Sequence, residues 1–102
     1  MVVQERIAGW IRWAAQQLNV ELLASEVDLG VWLWEDAWGE VYDLIIDQYT
    51  ADEADRLVET VRAGDLAIMA VALAVQDEAV REAAVEKLLH RLDRRLTAAA
   101  AQ

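Results

Sequence analysis

One hundred and two residues with 57% hydrophobic content, no Cys, no Pro and only four Gly exclude a disordered polymer and a disulfide framework, and leave one helical domain, 1–102, with a modest core. The longest uncharged apolar run, Leu66 to Val75, is too short for a bilayer, which takes ~20 residues. A formal net charge of −10 excludes direct binding to nucleic acid or an anionic membrane and favours a basic protein partner.

The opening MVVQERIAGW has neither a basic stretch nor a cleavage site, so a cytoplasmic location is expected. Val3, Ile7, Trp10, Ile11, Ala14 and Leu18 recur at helical spacing and predict a first helix over residues 3–18, with Trp13 at the rim of the core or exposed. The segment 19–30 is open: it extends that helix or breaks it, with Ser25 or Asp28 as the N-cap of the next one. VWLWEDAWGEVYDLIIDQY, over 31–49, reads as one second helix. Val31, Trp34, Trp38, Val41, Ile45 and Tyr49 form its buried stripe. Asp36, Glu40, Asp43 and Asp47 occupy the opposite side, with no Lys or Arg between them, and Trp32 lands beside them.

Thr50-Ala-Asp-Glu53 fits a capping box and starts a third helix that buries Ala54, Leu57, Val58 and Val61. Gly64 is expected to end it as a left-handed C′ residue, with Asp65 capping the next helix. Residues 66–75 are apolar all round and belong at the centre. Asp77 caps a last helix with Val80, Ala84, Val85, Leu88, Leu89, Leu92 and Leu96 inside. Arg91, Arg94 and Arg95 would oppose the negative end of its macrodipole, and the tail from Thr97 would fray. The expected fold is therefore all-α, a compact four- or five-helix bundle around a central apolar helix. Within it, Asp77–Leu88 carries a D-x-x-V-R-x-x-A-x-x-x-L spacing that resembles the second helix of a HEAT repeat. That resemblance implies a hairpin style of packing, since true HEAT units need stacked neighbours.

The charge is concentrated. Residues 21–60 hold twelve acids against Arg56 alone, whereas residues 61–102 balance six acids with six bases. Like charges at i, i+4 cost a helix roughly 0.2–0.5 kcal/mol per pair, so a stripe without Lys asks for a reason. Three are open: a solvated face partly neutralised by arginines of the last helix, a surface for a basic partner, or a divalent-cation site. For the last, Glu40-Val-Tyr-Asp43 resembles the first half of the paired E-x-x-E and E-x-x-D motifs of MazG-type all-α nucleotide pyrophosphohydrolases, which implies Mg²⁺. Arg62 stands three residues before Asp65, where the second half needs an acid.

Trp32 is either an exposed anchor or folded under the 19–30 segment, and burial is expected because large aromatics are mostly buried. Trp10, Trp34 and Trp38 are assigned to the core. His90 is the only histidine and points away from the last helix's apolar stripe; no nucleophile–base pair is visible, and no catalytic residue, metal or cofactor is expected. The leading function is an acidic protein–protein interaction module of inhibitor, antitoxin, DNA-mimic or adaptor type. It would dock a basic site, for instance on a nucleic-acid-binding protein, through Trp32, Asp36, Glu40, Asp43 and Asp47. The rivals are a small-molecule-binding bundle with a pocket lined by Trp10, Trp34, Trp38 and Tyr42, and a Mg²⁺-dependent all-α hydrolase. Excess apolar surface would also allow a homodimer.

Overall fold

The computed structural model describes residues 2–100, and these are all-α. Six helices succeed one another: α1 (Val2–Gln17), α2 (Ala24–Trp32), α3 (Trp34–Gln48), α4 (Ala51–Val58), α5 (Ala63–Val75) and α6 (Glu78–Ala100). The expected count of four or five is corrected at two places. The 19–30 segment supplies α2, and the 31–49 stretch is broken at Leu33, whose φ of −89° and ψ of 11° leave the helical region.

Most boundaries have local causes. At the end of α1, Asn19 takes a left-handed φ of 56° and the Val20 amide donates to Ala15 O at 2.9 Å, which closes the last turn. Neither Ser25 nor Asp28 caps α2; instead Glu26 reaches back to accept the Leu23 amide at 2.8 Å. Thr50 and Glu53 cap α4 reciprocally, as their spacing requires: Glu53 N–H donates to Thr50 Oγ1 at 3.3 Å and Thr50 N–H to Glu53 Oε1 at 3.0 Å. Asp77 accepts the Val80 amide at 3.1 Å ahead of α6. Gly64 is not a C′ residue. It lies in the first turn of α5 with an ordinary φ, because α5 begins at Ala63 and takes the glycine inside. Nor does the chain fray at Thr97: α6 stays helical to Ala100, with the Thr97 hydroxyl donating to Asp93 O at 3.0 Å. Ala101 and Gln102 lie outside the described residues.

The break at Leu33 has no proline or glycine at its centre, and its cause is tertiary. Gly30 is buried where α2 crosses α1, and a Cβ there would come within 2.9 Å of Ile11 Cδ1. That close approach commits α2 to α1 and α5, while α3 turns to lay Ala37, Val41 and Ile45 on α5.

α5 is the centre, as its apolar run Leu66–Val75 demands. It packs against α1, α2, α3 and α6, and α4 closes the gap between α3 and α6. Ala67, Ile68, Ala70 and Val71 have no exposed surface, and the many alanines let four helices come close. Around them stand Ile11 and Ala14 of α1, Val41 and Ile45 of α3, Leu57 of α4, and Ala84, Leu88 and Leu92 of α6. The extents are 41 × 31 × 20 Å, the shortest being about two helix diameters.

Two indoles assigned to the core from the sequence are not inside it. Trp10 is 38% exposed and stands edge-on to Trp13, their centroids 5.3 Å apart, because α1 buries the Ile11–Ala14–Ala15 side. Trp38 is 40% exposed because the buried face of α3, made by Ala37, Val41 and Ile45, centres on Val41 and leaves Trp38 at its edge. Val3, placed on the buried face of the first helix, is likewise exposed.

Candidate partner-binding surface

α3 separates its exposed chemistry by face. At 100° per residue, Ala37, Val41 and Ile45 point into the core and Asp36, Glu40, Asp43 and Asp47 point away from it. Glu40 is half-buried and meets Arg81 of α6 at 3.6 Å, a long pair between partly exposed groups. Asp36, Asp43 and Asp47 are exposed, and among the described residues they form no ion pair. One arginine of α6 therefore touches one carboxylate of the four. At the far end of α3, Tyr49 donates its hydroxyl to Asp93 Oδ1 at 2.6 Å. Burial, reinforced by that hydrogen bond and the charge of Asp93, pushes the phenol well above its ordinary range.

Trp32 is 85% exposed, against the expectation of burial. It is the last residue of α2, so the break at Leu33 removes it from the helical wheel of the acidic stripe and projects it from the elbow between two helices. An open groove of about 470 Å³ runs beside it, lined by Gln4 and Ile7 of α1, Val31, Trp34 and Glu35. A second, smaller groove that Trp32 also lines reaches Glu5, Ala8 and Asp28. The exposed indole thus has Glu35, Glu5 and Asp28 among its groove neighbours.

The feature that sequence reasoning missed is Asp65. Expected as an N-cap, it is a fully buried carboxylate. It sits at the third residue of α5, accepts the Arg62 amide at 2.9 Å, and so performs the side-chain half of a capping box. Arg95 grips it with two parallel bonds, Nη1 to Oδ2 at 2.7 Å and Nη2 to Oδ1 at 2.9 Å, and Arg91 Nε adds a third at 2.8 Å. Burial opposes its ionisation, but the bonds from Arg95, the Arg62 amide and Arg91 outweigh it and hold the carboxyl below the usual range. Arg95 also donates to Thr60 O at 3.3 Å, and the Arg91 guanidinium lies 5.6 Å from the Trp13 ring centroid. This network joins α1, the α4–α5 link, α5 and α6. Arg91 and Arg95 are therefore occupied inside the fold and do not serve the macrodipole of α6.

The residues of the rival readings do not come together. Trp34 lines the groove beside Trp32, whereas Trp10, Trp38 and Tyr42 stand exposed elsewhere on α1 and α3. Glu40 and Asp43 lie on the outer side of α3 while Asp65 is sealed among arginines, and among the described residues no three potential metal ligands cluster. Among the described residues, no helix is long and apolar enough to cross a membrane. No protein-family model, curated protein or solved structure matches the chain.

Proposed function

We propose that the chain is a non-enzymatic, acidic interaction module that docks a basic site on a partner protein in the cytoplasm, in the manner of an inhibitor, antitoxin, DNA mimic or adaptor. The observation that carries the reading is that Asp36, Asp43 and Asp47 are exposed without an ion-pair partner among the described residues, while Trp32 is 85% exposed. The physics is two-part. A stretch carrying twelve acids against one base speeds encounter with a cationic surface and repels nucleic acid. A projecting indole then supplies desolvated contact area, the kind of anchor that holds an interface after the charges have oriented it. Glu40 contributes charge at the edge, shared with Arg81.

Capture from a cell lysate at low and high salt tests this reading. The partner is expected to bind at low ionic strength, to weaken as salt rises, and to be lost by an Asp36→Asn, Asp43→Asn, Asp47→Asn variant and by Trp32→Ala. Capture that is indifferent to salt and to all four substitutions would contradict it.

A further inference from the structure

The carboxylates are only part of what α3 exposes. Trp38, Tyr42 and Ile46 succeed one another at four-residue spacing and are 40%, 43% and 51% exposed. The rings of Trp38 and Tyr42 lie 6.3 Å apart with their planes tilted by 41°, so the first two members are in register. At a rise of 1.5 Å per residue the three make an apolar ridge about 12 Å long. On the helical wheel this ridge falls between the buried face and the acidic stripe, and Gly39 marks its border with the stripe. Gly39 is exposed, and a Cβ there would point into open space. One turn before Trp38, the ridge runs to Glu35, which lines the groove beside Trp32.

An amphipathic helix with no partner beyond its own core has no use for a second apolar stripe. The parallel arrangement of an apolar ridge, a bare glycine and a row of carboxylates is complementary to one kind of occupant. That occupant is another helix with an apolar stripe and a cationic flank. We propose that α3 is the receptor for a cationic amphipathic helix of the partner protein. Its apolar stripe packs along Trp38, Tyr42 and Ile46, its Lys and Arg residues reach Asp43 and Asp47, and Gly39 admits its close approach. The proposal rests on the charge-led docking reading and names what the basic partner presents. Charge complementarity selects this occupant over a second copy of the chain, which would set two acidic stripes against each other.

The test uses a synthetic peptide of about 15 residues, the length that matches α3, with Leu at i, i+3, i+4 and i+7 and Lys elsewhere. A peptide of the same composition with its Leu residues scattered is the control, since it has the same charge and no stripe. Binding is followed by the indole and amide NMR resonances of the intact protein. The patterned peptide is expected to bind at least about tenfold more tightly than the control. It should shift the Trp38 and Tyr42 resonances, and it should lose its advantage in a Tyr42→Ser, Ile46→Ser variant. Both substitutions are at exposed positions, and an unchanged spectrum elsewhere confirms that this variant is folded. Equal, salt-sensitive binding of both peptides overturns the helix receptor and leaves charge-led docking standing. A preference for the patterned peptide that survives in the Tyr42→Ser, Ile46→Ser variant also overturns it, because the ridge is then not the site. Binding of neither peptide at low salt overturns both readings.

Discussion

Asp65→Asn is expected to destabilise the chain by about 3–5 kcal/mol, the usual cost of removing one partner from a buried charge network. Asparagine fills the same space, so the loss is one of charge rather than of packing. Arg91 and Arg95 would keep their positions beside α5 without the anion that accepts three of their hydrogen bonds. A domain of this size has a margin of only about 5–15 kcal/mol, so urea unfolding would show a large fall in midpoint. The same residue sets an acid limit. Its folded-state titration lies below the ordinary range, so its contribution is complete above the unfolded-state value of about 3.9 and is lost as pH falls through the folded-state value. Stability of the native chain should therefore decline below about pH 4, and the part of that decline due to Asp65 should be missing from the variant. A loss under about 1 kcal/mol would mean that the arginines are satisfied elsewhere and that the network is not what joins α5 to α6.

Ile68→Ala ranks next, at about 2–5 kcal/mol, while Ile68→Val should cost about 0.5–1.5 kcal/mol. Ile68 has no exposed surface and lies mid-way along a helix that packs against α1, α2, α3 and α6. A cavity there is held open from several sides, and the neighbouring alanines have no side chain long enough to fill it. The graded pair of variants, read by the shift in urea midpoint at constant slope, separates cavity formation from a general loosening. Similar costs for the two would mean that the helices around α5 can close in.

The features legible in the sequence are those that local chemistry decides. Thr50 with Glu53 and Asp77 with Val80 act over three residues, so their spacing suffices to place two helix starts. The centrality of α5 stems from its run Leu66–Val75, which has no polar face. The break at Leu33 leaves no such trace, since it arises from Gly30 settling on Ile11, residues far apart in the chain. Without the break, Trp32 is set on the wrong helix, while Trp38, three residues from Val41, falls at the edge of the buried face, where periodicity does not separate inside from rim. Asp65 shows the same limit: its cap geometry is local, but its arginines lie 26 and 30 residues away. A hint is present. Arg91 and Arg95 are one turn apart and flank Leu92, a position where a helix meets its core. For the candidate surface, the outward direction of the four acids is legible from their period, but the freedom of Asp36, Asp43 and Asp47 from the arginines of α6 depends on where Asp65 sits.

If α3 carries its carboxylates uncompensated, the isolated protein bears a cost for them, and that cost can be measured without any partner. The thermal midpoint of an Asp43→Asn, Asp47→Asn variant across a salt series is the most direct test. Asp43 repels Glu40 at i, i+3 and Asp47 at i, i+4, and Asp47 also sits at the negative end of the α3 dipole. Their removal is expected to stabilise the chain by about 1 kcal/mol at low salt, a rise of roughly 4–8 °C, with the gap closing as salt screens the charges. An unchanged or lower midpoint at low salt would contradict this, because it would show that the fold already compensates the face proposed for the partner.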